Sequence, residues 1–256
     1  KMKKIFFFLT LIFILFSLSF TFLKKELIIR KLYYLGDLYP YVHNSLLHFF
    51  LDEDIVFDNE EVNKLFNSLE TIDYAELDPL YLKQTNSNHS KFRYLRKKTY
   101  FKIYRKDLKK RISGNVLVAD LVPTKDAYYK SCLIKDEPIF WLINKKLVQK
   151  LIQLQVLLKE NGYDPNAFKV LSGHRYPSYN KKVGGASLSR HIRGEAVDIR
   201  IGDIDKDGRY TKNDKKIVLD LLENNVIKSS GGIGRYPNTR SVHFDVRGYR
   251  ARWDVF

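Results

Sequence analysis

The chain reads as an α+β protein, a small antiparallel sheet with packed helices, preceded by an N-terminal membrane anchor and a region without an assigned role. Three observations predict this. An apolar stripe at helical spacing, Leu142, Leu147, Leu151, Leu154, Leu157 and Leu158, ends at Asn161-Gly162, a common helix stop. Three short runs with strand character follow, FKVLSG, GEAVDIRI and SVHFDVRG, with an amphipathic run KKIVLDLLENN before the last of them. A lysine-flanked apolar run opens the chain. Helices and short strands in this order pack as layers around one core.

The opening run, Ile5 to Leu23, carries no charge and is long enough to span a bilayer as a helix. It is longer than the usual signal-peptide core, and no A-x-A site follows it, so residues 1–23 read as an uncleaved signal anchor. A cleaved signal peptide, cut near Ser17-x-Ser19, is the alternative. No cysteine follows the run, which excludes a lipoprotein anchor, and lysines on both sides leave the orientation open. Either version places the rest of the chain outside the cytoplasm, in the periplasm or cell envelope at the cytoplasmic membrane. The single cysteine, Cys132, makes no internal disulfide and has no companion thiol for a metal. A net charge of +16 implies an anionic neighbourhood such as a membrane surface or cell wall, or else a solvated lysine-rich surface. No helix-turn-helix, zinc-finger or RNP pattern accompanies the charge, so nucleic acid is not expected as a partner.

Residues 24–136 form a mixed α/β region. Asp58 followed by Glu61 predicts a helix start before the stripe Val62, Leu65, Phe66, Leu69. KTYFKIYRKDL and GNVLVADLVP alternate like strands. His43 and His48 have no motif around them and read as structural residues. The pattern sharpens from residue 137 to 256, and no internal repeat is present.

In SLSRHIRGEAVDIRI a histidine, His191, precedes a strand that carries an aspartate, Asp198. A carboxylate in an apolar run is costly to bury unless its charge is matched, and a metal ion would match it. Ala196, Asp198 and Arg200 share one strand face, and Ser241, His243 and Asp245 share one face of SVHFDVRG. Catalytic zinc takes three protein ligands and keeps one open position, so His243 is the available third partner. The His191–Asp198 pair alone does not distinguish this from a satisfied core histidine.

The surrounding words add to the pattern. SGHRYPSYNKKVGGASLSRHIRGEAVDI, then GGIGRYPNTRSVHFDVRG and Trp253, closely resembles the M15 family of zinc D,D-peptidases, in the branch of peptidoglycan carboxypeptidases and cross-link endopeptidases, over residues 140–256. The S-x-H-x-x-G-x-A-x-D-I word is Ser189, His191, Gly194, Ala196, Asp198 and Ile199. The S-G-x-R-x-P-x-x-N word is Ser172, Gly173, Arg175, Pro177 and Asn180, and the late word is Val242, His243 and Asp245. The resemblance implies the fold of the zinc D-Ala-D-Ala peptidases and hedgehog-like domains. It implies zinc ligands at His191, Asp198 and His243, and an arginine, Arg175, that holds the substrate beside the scissile peptide. It implies hydrolysis of peptidoglycan stem peptides. In some branches an acid or histidine just before the last ligand serves as general base. Here those positions are Thr239, Arg240 and Ser241. Asp245 is the candidate base, with orientation of a ligand histidine as its other reading. Glu195 falls one residue off the Asp198 face.

Two further motifs remain. SSGGIGRYP lacks the G-K-[ST] of a phosphate loop and reads as a turn beside the site. DIDKDGRYTKND carries Asp203, Asp205, Asp207, Arg209 and Asp214 at the spacing of an EF-hand calcium loop, with Arg209 at a position that ligates through its backbone. Its twelfth residue is Asp rather than Glu, and no helix enters it, so a single dockerin-like structural Ca2+ loop is expected; the other reading is an acidic turn capping the next helix. The function expected is that of a membrane-anchored zinc metallopeptidase. The alternatives are a non-catalytic, zinc-containing wall-binding module, favoured by the missing base, and regulation by residues 24–136.

Overall fold

The computed structural model describes residues 58–124 and 127–254. The apolar run on which the anchor rests, and His43 and His48, lie outside them; among the described residues no helix is long and apolar enough to cross a membrane. Helix α1 (Asn59–Asn67) starts where Asp58 Oδ1 accepts the N–H groups of Glu60 and Glu61, at 2.8 and 3.0 Å. Strand β1 (Glu70–Asp73), helix α2 (Pro79–Gln84), strand β2 (Thr99–Ile103), hairpin β3–β4 (Arg111–Ser113, Val116–Leu117) and helices α3 (Val118–Leu121) and α4 (Ala127–Lys135) complete the first half. GNVLVADLVP is therefore a two-residue strand followed by a helical turn. After β5 (Ile139–Trp141), helix α5 (Lys145–Glu160) begins at Asn144, whose side chain caps Lys146 N–H, and stops at Asn161-Gly162, where Gly162 takes φ +79°.

The remaining elements are β6 (Phe168–Ser172), α6 (Pro177–Lys182), β7 (Ala196–Ile201), α7 (Lys212–Leu221), β8 (Gly232–Arg235), β9 (Ser241–Asp245) and β10 (Ala251–Asp254). Five strands form the main sheet in the order β10-β8-β9-β7-β6, antiparallel except for the β10–β8 pair. The glycine-rich run expected as a turn is instead strand β8, paired between β9 and β10. A second sheet, β1-β2-β5, is antiparallel and carries Trp141.

The two-residue period sorts the main sheet. Val197, Ile199, Ile201, Ile233, Val242 and Phe244 are all buried to 1% exposure or less. They face the core covered by the stripe of α5 (Leu147, Leu151, Leu154, Leu158) and by Val218 and Leu222 of α7 and its last turn. Each such side chain contributes roughly 1.5–3 kcal/mol of hydrophobic stabilisation. Residues on both sides of position 136 share the packing. Trp141, fully buried, stacks with Phe66 and donates its indole N–H to Leu121 O at 3.1 Å. Asn115 reaches Asn166 O and Phe168 O at the start of β6.

Gly194 shows how tightly the two sheets are joined. It adopts φ +64°, its carbonyl accepts Asn144 N–H at 2.8 Å, and a Cβ there would lie 2.1 Å from Leu142 O. Both the conformation and the contact exclude a side chain, and the contact is with backbone that cannot swing aside. Gly194→Ala is expected to cost about 2 kcal/mol or more in urea unfolding; an unchanged midpoint would contradict this packing.

Candidate active site

The site is one row of residues across the sheet. Ser172 of β6 pairs with Asp198 of β7, Asp198 with His243 of β9, His243 with Gly234 of β8, and Gly234 with Trp253 of β10. Gly234 is required there, since a Cβ would lie 2.7 Å from the Trp253 indole. The space admits that ring beside His243, 5.1 Å between centroids.

His191 reaches the row from a 3-10 turn, Arg190–Arg193, opened by Ser189, whose Oγ accepts His191 N–H at 3.3 Å, and closed by Gly194. Its Nδ1 lies 2.7 Å from Gly173 O. A carbonyl only accepts, so Nδ1 carries the proton and Nε2 turns its lone pair inward. His243 Nε2 lies 3.2 Å from Asp245 Oδ2, which accepts its N–H and leaves Nδ1 facing Asp198 and His191. The two inward nitrogens are 3.2 Å apart, and they lie 3.3 Å (His191) and 2.8 Å (His243) from Asp198 Oδ1. Three acceptors this close are stabilised by a cation. Ligands about 2.0–2.2 Å from a tetrahedral ion are themselves about 3.3 Å apart, so the triangle fits a zinc-sized ion. Burial disfavours the charged form of Asp198, but the two imidazoles outweigh it and hold the carboxyl well below the usual carboxylate range. Burial also depresses His191; in His243 the flanking carboxylates Asp198 and Asp245 outweigh burial and raise it.

Arg175 sits against this centre. Its Nε donates to Ser172 Oγ at 2.7 Å and its Nη2 to Asp198 Oδ2, and Nη1 has no protein partner among the described residues. Asp245 has a different environment. It is fully buried, and its oxygens accept from Gly232 N–H (3.0 Å), Arg247 Nη2 (2.6 Å), Arg247 Nε (2.8 Å) and His243. Of the two roles the sequence leaves open, this geometry serves orientation of His243. Burial raises its carboxyl, but His243 and Arg247 override that and hold it far below the ordinary range, so it is a poor base.

A cleft of about 1010 Å³ opens over the row. Asp198 is the sole carboxylate among the described residues lining it. Thr239 and Ser241 line it, whereas Arg240 turns away onto the Tyr210 ring, 4.2 Å from its centroid. Three lining or supporting residues fall on no specified letter of the sequence words. Tyr236 lines the cleft from the end of β8. Lys215, buried on α7, donates to Tyr236 O and Thr239 O at 2.6 and 2.8 Å and so fixes that turn. His174 lies inside the S-G-x-R word and accepts Leu142 N–H through Nδ1 at 3.2 Å.

The acidic loop brings together carboxylate oxygens of Asp203, Asp205 and Asp214, within 4.8 Å of one another. Asp207 stands apart from that group: its Oδ1 accepts Arg209 N–H. Asp214 is buried, accepts the N–H groups of Ile204, Asp205 and Thr211, and forms with Thr211 the capping box of α7. The cap residue is Thr211.

An α+β sheet with an open two-histidine, one-carboxylate centre defines the class of protein. Residues 124–245 match the family model described as Peptidase M15, which supports a peptidase of that family. The match starts ahead of the expected boundary at 137 and stops before Arg247 and Trp253. Neither the curated proteins nor the solved structures include a significant match to the chain.

Burial pushes the His174 imidazolium down to about 3, with His191 adding to the shift. Below about pH 6.5 the unfolded chain binds a proton here that the folded chain refuses until about 3, so stability from this group falls as pH falls through that window. His174→Asn is expected to flatten the decline by up to about 1.4 kcal/mol per pH unit in urea unfolding between pH 7 and 4; parallel curves for variant and parent would contradict this assignment.

Proposed function

We propose that the chain is a zinc-dependent peptidase that hydrolyses peptide bonds of peptidoglycan stem peptides, as a D,D-carboxypeptidase or cross-link endopeptidase. The observation that carries it is the triangle of His191 Nε2, Asp198 Oδ1 and His243 Nδ1, each nitrogen held in the ligating tautomer, at the floor of a cleft. A structural zinc site is normally closed by a fourth protein ligand, and among the described residues three protein donors gather here. Bound zinc would supply Lewis acidity, polarising a peptide carbonyl and acidifying water. Arg175 keeps Asp198 oriented and has Nη1 left to donate to a substrate oxygen, where its fixed fork suits developing negative charge. Asp245 and Gly173 O hold the two histidine rings. The exposed apolar side chains of Leu171, Val183 and Leu188 line the cleft and suit short aliphatic residues of a peptide. The basic charge and the apolar run at residues 5–23 support residence outside the cytoplasm, anchored beside an anionic wall.

A second reading is a non-catalytic, zinc-containing wall-binding module. The observation favouring it is that Asp198 is the sole carboxylate among the described lining residues. The acidic loop is proposed to hold a structural Ca2+ through Asp203, Asp205 and Asp214, bracing the connection from β7 to α7.

Cross-linked muropeptides incubated with the protein and zinc are expected to release smaller products. Release is expected to stop with chelator and to fall by at least about 10³-fold in His243→Ala. Product masses name the bond. No turnover with about one zinc retained per chain rejects the enzyme and leaves the wall-binding module. For the loop, calcium is expected to raise the thermal midpoint of the parent by several degrees and to leave that of Asp203→Ala unmoved. No calcium-dependent rise in the parent would reduce the loop to a capping turn.

A further inference from the structure

We propose that Arg193 is a specificity-determining residue that receives a carboxylate of the substrate in the cleft, an inference that rests on the peptidase reading above. Four arginines line the cleft: Arg175, Arg190, Arg193 and Arg247. Three of them are matched to a carboxylate. Arg175 pairs with Asp198, Arg190 with Glu195 at 2.9 Å, and Arg247 with Asp245 at 2.6 Å. Arg193 has no carboxylate partner among the described residues. Its guanidinium instead lies on the Tyr94 ring, 4.0 Å from the centroid, and its Nε is buried without a hydrogen-bond partner.

Stacking holds the plane of a guanidinium but does not neutralise it. A partly buried cation without an anion carries a desolvation cost that a ligand carboxylate offsets. The sole carboxylate among the described lining residues, Asp198, is already shared between Arg175 and the two histidines, so the described lining offers Arg193 no further anion. The position is also rigid. Arg193 lies two residues after His191 on the same 3-10 turn, which ends at Gly194 against Leu142 O. The carboxylate-binding group therefore keeps a fixed place relative to the reacting centre, as discrimination between substrates requires. The lining of Leu171, Val183 and Leu188 supplies apolar contact and no competing charge.

Two carboxylates of a stem peptide have the right chemistry: the terminal carboxylate, and one carried by an internal acidic residue. The test uses the full, zinc-loaded chain and two matched peptide pairs. The first is acetyl-lysyl-D-alanyl-D-alanine against its C-terminal amide. The second is a glutamyl peptide amide against its glutaminyl counterpart. Dissociation constants are measured by calorimetry, and hydrolysis is followed in parallel. The parent is expected to favour the carboxylate member of one pair by about ten- to a hundredfold. Arg193→Gln is expected to bring that ratio to near one, and Arg193→Lys to restore it in part, because a point charge replaces the fork. A variant that is merely destabilised would weaken both members and keep the ratio. Preference in the first pair places the terminal carboxylate at Arg193, and preference in the second places an internal one there. Equal binding within both pairs by the parent, or a ratio that survives Arg193→Gln, overturns the proposal. Binding discrimination without hydrolysis of any peptide would reject the peptidase and leave the carboxylate site standing.

Discussion

The cross-strand pairing of Asp198 with His243 is the constraint on which the rest of the site depends. It is a matter of register. A slip of one residue between β7 and β9 would turn Asp198 into the core and bring Val197 or Ile199 to the cleft. The core holds the register in place, because Val197, Ile199, Val242 and Phe244 are buried only when Asp198 and His243 face the other way. The same register sets the outer members of the row. It places Ser172 beside Asp198, where its hydroxyl accepts from Arg175, and puts glycine opposite His243, where Trp253 needs the space. Hydrophobic burial on one face thus fixes polar geometry on the other.

The third donor is not on the sheet, and its placement depends on the first half of the chain. His191 Nδ1 is held by Gly173 O, and the Gly173 backbone approaches Leu121 so closely that a Cβ would lie 2.4 Å from its carbonyl. Leu121 O also accepts His174 N–H at 2.8 Å and the Trp141 indole. Residues 58–124 therefore buttress the loop that carries His174 and Arg175 and orients His191. A region without a catalytic side chain of its own still determines where the histidine nitrogen points, which is how a distant packing change would reach the chemistry.

Legibility of the sequence follows from these two kinds of constraint. Asp198 and His243 are readable because period-two alternation alone assigns each strand residue to a face, and His191 because it stands just ahead of the first of those strands. Helix α1 is readable because Asp58 and Glu61 mark its start. What escapes depends on contacts between distant segments. SSGGIGRYP has the composition of a turn, yet it is β8, since Gly234 is there for the indole of Trp253 rather than for a bend. Asp245 shares a strand face with His243, but spacing alone does not reveal that Arg247 occupies its oxygens and that it is fully buried. Lys215 reads as an ordinary position on an amphipathic helix until its amine is seen on two carbonyls of the cleft wall. The packing of residues 58–136 with the second half is hidden for the same reason.

The distribution of charge separates two tasks that a single carboxylate cannot perform together. A group that orients a ligand histidine does so best as a firm anion, and that firmness removes it as a proton acceptor near neutral pH. Asp245 is firm because Arg247 and His243 surround it, and Asp198 because two imidazoles and Arg175 do. His174 is buried and stays neutral to about pH 3, while His191 and His243 are committed to the centre. Among the described residues lining the cleft, the remaining proton-active groups are the phenols Tyr179, Tyr236 and Tyr249. They are not equivalent. Burial and the nearby Asp198 raise Tyr236 and keep it a hydrogen-bond donor, whereas Arg190, followed by Arg247, lowers Tyr249, which is exposed at the rim. Among the described lining residues, a proton accepted at this cleft would pass to a phenol, to the substrate or to solvent, since Thr239, Arg240 and Ser241 offer no acid just before His243.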